Sequence, residues 1–170
     1  GLVQVYTGHG KGKTTAALGQ SFRAIGYGYK VFMAQFIKGQ ETGEVLALPL
    51  LSPHLTIKQY GMGKFIVGRP PDEAELAVGR KGWQDILVAI HSGEYQIVVL
   101  DEISHAINIG LIDLSQVIDL MDSKPKQVEI ILTGRDMPEP VIRRADLVTD
   151  MQAIKHPFEQ GQTARKGIEF

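Results

Sequence analysis

The sequence contains no cysteine. That excludes a disulfide framework, a thiolate metal site and a cysteine nucleophile, and it fits a cytoplasmic protein. No run of eighteen apolar residues and no signal-peptide pattern occurs, so the expectation is a protein with no membrane partner. A basic excess is missing as well: 18 Lys and Arg stand against 19 Asp and Glu. That balance argues against a generic nucleic-acid binder, which neutralises phosphates with surplus cations. Internal repeats, low-complexity tracts and linkers are absent too. A length of 170 residues with 44% hydrophobic and 22% charged content predicts one globular domain, 1–170, able to bury a core. The histidines, His9, His54, His91, His105 and His156, show no clustered metal spacing, and each reads as structural.

What the chain does have is a loop with chemistry in it. Gly8-His9-Gly10-Lys11-Gly12-Lys13-Thr14-Thr15 follows the alternating run Leu2-Val3-Gln4-Val5-Tyr6 and precedes the helical pattern Ala16-Ala17-Leu18…Phe22…Ile25. Strand, glycine-rich turn and Lys-Thr opening a helix is the context of a phosphate loop. Alternate glycines let the backbone point its N–H groups into one concavity at the positive end of a helix dipole, which suits a polyphosphate. Lys13 would reach the outer phosphates, and the Thr14 hydroxyl would complete a magnesium shell. Thr7 stands where the usual pattern begins with glycine.

Further along, strands and helices alternate. The spacing predicts a helix from about Lys13 to Gly26 or Gly28, a buried strand at 31–37, a mixed stretch at 38–53 and a strand at 55–60. A loop at 61–71 leads to Asp72, which caps a helix with Glu73 and Glu75 in its first turn and Trp83 on its apolar stripe; this helix ends near Gly93. A buried strand at 96–100, a helix at 114–121, a strand at 128–132, a helix near 139–145 and a strand at 147–149 follow. This alternation predicts an α/β domain, a largely parallel sheet with helices on both faces.

The strand Gln96-Ile97-Val98-Val99-Leu100 runs into Asp101-Glu102, a carboxylate pair at the crevice where ligands of open α/β sheets collect. Either Asp101 or Glu102 can hold a metal, directly or through water. Another strand ends in Thr133-Gly134-Arg135, where Arg135 is either a phosphate partner or a solvated surface residue. Arg23, on the helix that Lys13 opens, is either a ribose or base contact or a surface cation.

Several stretches together resemble the ATP:corrinoid adenosyltransferases, the phosphate-loop type that modifies cob(I)alamin. They are residues 7–17, Gln35-Phe36-Ile37-Lys38-Gly39, Val99-Leu100-Asp101-Glu102, Leu132-Thr133-Gly134-Arg135, and the tail Lys155-His156-Pro157-Phe158-Glu159-Gln160-Gly161 with 164–170. The resemblance implies a single phosphate-loop (RecA-like) domain. It also implies transfer of the 5′-deoxyadenosyl group of ATP to the Co(I) of a corrinoid, cobalamin or cobinamide, with release of triphosphate. By motif match, Gly8, His9, Gly10, Lys11, Gly12, Lys13, Thr14 and Thr15 hold triphosphate, with His9 standing where asparagine is common. Lys13 and Glu102 carry the catalytic roles. Thr14 and Glu102 bind Mg2+ or Mn2+, with Asp101 in support. The stretch Gly61-Met62-Gly63-Lys64-Phe65-Ile66-Val67 keeps one aromatic of the corrinoid-facing pair, so Phe65 is either the wall under the corrinoid or a surface loop residue. The family further implies a reduced flavoprotein as electron donor and a homodimer. A phosphoryl-transferring kinase or NTPase, with Glu102 as base, is the alternative reading of the same motifs. An ATP-dependent switch or nucleic-acid motor is a second rival, against which the acidic balance weighs.

Overall fold

The protein is described from a computed structural model, which covers residues 1–37, 39, 41–63, 66 and 68–170. Its strands are β1 (Val3–Thr7), β2 (Val31–Phe36), β3 (Leu55–Tyr60), β4 (Ile97–Asp101), β5 (Glu129–Thr133) and β6 (Leu147–Asp150). The helices are α1 (Lys13–Ile25), α2 (Gly43–Leu46), α3 (Leu48–Leu51), α4 (Glu73–His91), α5 (Ile103–Asn108), α6 (Leu114–Ser123) and α7 (Glu139–Arg144). All strand pairs are parallel, in the order β3-β2-β4-β5-β1-β6. Among the described residues no helix is long and apolar enough to cross a membrane.

Period-two alternation divides the core into two layers. On β2, Val31 and Met33 face the side covered by α1 and α3, while Phe32, Ala34 and Phe36 face α4 and the helices after it. The strands are near-continuous apolar runs because both faces are covered, as parallel sheets require. Fully burying a side chain such as Phe36 or Ile86 contributes about 1.5–3 kcal/mol. Trp83 is buried on α4, as its position on the apolar stripe predicts.

Helix α1 corrects the sequence pattern in one respect. Its buried stripe is Lys13, Ala17, Ser21 and Ala24, whereas Phe22 is 68% exposed. The stripe starts from Lys13 at the loop, and Phe22 lies roughly 100° round the helix from Ser21. Three further helices are not anticipated by the sequence pattern. The short helices α2 and α3 fall in the mixed stretch 38–53, and α5 follows Glu102 directly.

Candidate active site

Parallel pairing brings the C-terminal ends of all the strands to one edge. The connection leaving β1 packs on one face of the sheet and those leaving β4 and β5 on the other, which opens a crevice between them. In that crevice lies a cleft of about 560 Å³ lined by Gly10 to Thr15, Leu18, Gly43, Glu44, Glu102, Arg135, His156 and the tail 167–170.

The glycine-rich loop is tight because its neighbours leave no room. Gly8 has φ 98°, and a Cβ there would collide with Asp150 and the Met151 backbone. At Gly12, φ is 122°, again the region that favours glycine. The Gly10 N–H donates to Met151 O at 2.6 Å, fastening the loop to the chain beyond β6. Lys13 folds back under the loop, and its ammonium donates to Gly8 O and Gly10 O, each at 2.7 Å. Only 7% of Lys13 is exposed, and burial pushes its pKa below the ordinary lysine value. Glu102, and less strongly Asp101 and Asp150, pull the other way, while Arg135 adds to the lowering. A desolvated cation with one N–H left over is primed for an anion.

Opposite the loop stands the carboxylate pair. Asp101 is fully buried; its Oδ1 accepts from Thr14 Oγ1 at 2.8 Å and from Thr133 Oγ1 at 2.7 Å. Glu102 takes a left-handed backbone, φ 59° and ψ 27°, and its N–H donates to Thr133 Oγ1 at 3.0 Å. That conformation costs a non-glycine residue on the order of 1 kcal/mol, and it turns the Glu102 side chain toward the cleft. Because Thr14 gives its hydroxyl hydrogen to Asp101, its oxygen lone pairs remain for a ligand. Hard oxygen donors from Thr14, Asp101 and Glu102 suit a magnesium-like ion that completes its shell with phosphate and water. No cluster of three or more His, Asp or Glu side chains among the described residues makes a closed protein cage.

Sequence-predicted residues therefore divide. Gly10, Lys11, Gly12, Lys13, Thr14, Thr15, Glu102 and Arg135 line one cleft, with Gly8 and Asp101 directly behind it. His9 is not brought in: it is exposed, and its Nε2 lies 3.1 Å from Asp136 Oδ1. Nor is Arg23, which sits on the far end of α1, about 15 Å along the helix from Lys13. It lines a separate hollow with Gln4, Tyr27, Tyr29 and Glu129 at the opposite sheet edge. Phe65 lies outside the described residues. Residues that sequence reasoning passed over are Glu44, Leu18 and His156, together with the tail as a cleft wall. Lys11 Nζ donates to Ile168 O at 2.8 Å and to Glu169 Oε1 at 3.0 Å, tying the tail to the loop. His156 fits its expected structural role, since its Nδ1 caps the 3-10 turn Pro157–Gln160, and the residue also borders the cleft.

A family model described as ATP:corrinoid adenosyltransferase BtuR/CobO/CobP matches residues 1–170. The chain belongs to the ATP:corrinoid adenosyltransferase family. It is 39% identical over 175 residues to a corrinoid adenosyltransferase of Sinorhizobium sp, spanning 100% of this chain and 80% of that one. Similarity to the corrinoid adenosyltransferase of Escherichia coli (strain K12) is 34% identity over 171 residues, 100% of this chain and 86% of the relative. The corrinoid adenosyltransferase CobA of Salmonella typhimurium gives the same identity and coverage. Membership makes the chain an adenosyl-transferring enzyme that takes ATP and a corrinoid, and it does not favour the phosphoryl-transfer alternative.

Proposed function

We propose that the cleft holds ATP by its triphosphate in the loop Gly8–Thr15 and presents the ribose 5′ carbon to the Co(I) of a bound corrinoid. The cobalt electron pair attacks C5′, the C5′–O bond breaks, and triphosphate leaves with that bond's electrons. Co(I) is itself a strong nucleophile, so no protein base is required. The protein's work is alignment, charge neutralisation of the leaving group and exclusion of water. Lys13, Lys11 and Arg135 neutralise the triphosphate. Thr14 and Glu102, with Asp101 behind them, would hold Mg2+ or Mn2+, which supplies further neutralisation of the phosphate oxygens. Buried Lys13, curled inside the glycine loop and facing Glu102, is the observation that carries this reading.

On the β3 side, Ile37, Tyr60, Met62, Ile66, Val78 and Leu111, with the Glu75 carboxylate beside them, line a mostly apolar hollow of about 20 Å³; it is too small to hold a corrinoid ring and offers only a surface for one to lie against. Phe65 belongs to the same stretch and is part of the proposal as the wall under the corrinoid. The proposal also includes one domain over 1–170, cytoplasmic residence, a reduced flavoprotein donor and a homodimer. The exposed edge strand β6, with Leu147 and Val148 each about 40% open to solvent, supports an association surface. An anaerobic assay with ATP and chemically reduced cobalamin tests the function. The visible spectrum of adenosylcobalamin should grow with enzyme; a spectrum that stays that of the reduced corrinoid would overturn the proposal.

A further inference from the structure

Gln35 is fully buried at the C-terminal end of β2, a central strand, where an uncompensated amide is costly. It lies in register with Asp101 on β4 to one side and with Gln59 on β3 to the other. Its Nε2 donates to Asp101 Oδ2 at 3.3 Å and to Glu44 Oε1 at 2.8 Å. Its Oε1 accepts from Gln59 Nε2 at 3.1 Å. These partners fix the amide's orientation: two carboxylates can only accept, so the NH2 must face them and the carbonyl must face Gln59. An isosteric apolar side chain would fill the same space at a lower desolvation cost, so a buried amide here calls for a use. That use is geometric. Asp101 Oδ1 is committed to the Thr14 and Thr133 hydroxyls, and Gln35 holds the other oxygen, so the carboxylate cannot rotate about its Cβ–Cγ bond.

We propose that Gln35 is a positioning residue. It locks the Asp101 carboxylate so that Thr14 presents its oxygen to the metal, and it links that lock to Glu44 on the cleft wall and, through Gln59, to the end of β3, where the loop on the apolar hollow begins. This rests on the proposed role of Thr14, Asp101 and Glu102 at a divalent ion. Outer partners of this kind tune metal affinity about 10–100-fold without touching the metal.

The test uses Gln35→Met, which keeps the length and volume of the side chain and removes both donors. Mn2+ binding to the protein with ATP is read by the paramagnetic resonance of free Mn2+, and ATP binding without metal is read by calorimetry in chelator. The expected result is Mn2+ affinity reduced about 10-fold or more, with metal-free ATP affinity within twofold of the parent, because the glycine loop is untouched. Gln59→Met, which removes the donor to the Gln35 carbonyl together with the rest of the Gln59 amide at a half-buried site, should weaken Mn2+ in the same direction by a smaller factor. It keeps the inference testable if Gln35→Met fails to fold. Unchanged Mn2+ affinity in folded Gln35→Met overturns the positioning role, as does unchanged affinity in Gln59→Met if the first variant does not fold. Equal loss of metal-free ATP affinity overturns it too, since it would mean general damage to the cleft. A parent protein with no ATP-dependent Mn2+ site would overturn the metal reading itself, a failure distinct from that of Gln35.

Discussion

Lys13 is the residue on which most of the proposed site depends, because it is both buried and curled inside the glycine loop. Replacing it with alanine leaves the loop's fastening through Gly10 and Met151 in place but removes the central cation. Lys13→Ala should weaken ATP binding by about 2–5 kcal/mol, the range for losing one partner of a desolvated charge pair. Calorimetric titration checks it, and unchanged affinity would remove the loop from the nucleotide site. At this scale the sequence was legible wherever a residue's placement follows from a short motif, as for Lys13, Thr14 and Asp101, which the fold does bring together. It was less legible for His9 and Arg23. A loop position does not say which way a side chain points, and helix spacing does not say that ten residues carry Arg23 to the far edge of the sheet. Gln35 was visible in the sequence only as part of a strand, since its three partners come from other elements.

Helix α4 shows what holds an element to the sheet. Asp72 caps the helix as the sequence predicts, accepting from the Glu75 N–H at 2.9 Å; Glu75 Oε2 returns the bond by accepting from the Asp72 N–H at 2.8 Å, a pairing beyond the dipole role expected of it. Farther along, Asp85 Oδ2 accepts from Tyr60 Oη at 2.7 Å and Lys58 Nζ at 3.2 Å, both on β3, while Lys81 bonds its other oxygen. Burial acts to raise the Asp85 pKa, but the donors from Lys81, Tyr60 and Lys58 outweigh it and hold the group at about 2. A carboxylate with a folded pKa below its unfolded value stabilises the fold above the unfolded pKa. That contribution is lost as pH falls from about 3.8 toward 2. Thermal midpoints should therefore drop more steeply over this window in the parent than in Asp85→Asn; parallel curves would contradict the tie between α4 and β3.

Two helical glycines give opposite expectations by the same reasoning. Alanine in place of helical glycine gains about 1 kcal/mol. At Gly19 on α1 a Cβ would meet nothing within 4 Å, so Gly19→Ala should raise the denaturant midpoint, by roughly 0.5–1 kcal/mol of stability. At Gly82 on α4 it would fall 2.7 Å from the Tyr60 ring. Overpacking there costs about 1–3 kcal/mol, which exceeds the helical gain, so Gly82→Ala should lower the midpoint. A stabilised Gly82→Ala would show that Tyr60 gives way freely.

At the scale of the whole molecule, the parallel sheet and its helices on both faces follow from the alternation of short apolar runs with amphipathic segments. β4 and β5 were readable because both are apolar runs between turn residues, and Asp101 and Thr133 fall where each strand stops. The order β3-β2-β4-β5-β1-β6 was not readable, because central strands carry apolar residues on both faces and their local patterns do not name their neighbours. Helix α5 escaped for a different reason: it starts at Glu102 from a left-handed backbone with no side-chain cap to announce it. The tail's return to the loop, through Lys11 and Glu169, is a contact across 158 positions that no local pattern encodes.

The central claim is that this cleft treats triphosphate as a leaving group and does not transfer its terminal phosphoryl. Phosphorus NMR of an anaerobic reaction with ATP, Mg2+ and chemically reduced cobalamin tests it directly. The account predicts inorganic triphosphate formed in a one-to-one ratio with adenosylcobalamin, and no accumulation of ADP. ADP and phosphate in place of triphosphate, or nucleotide turnover indifferent to the corrinoid, would contradict it.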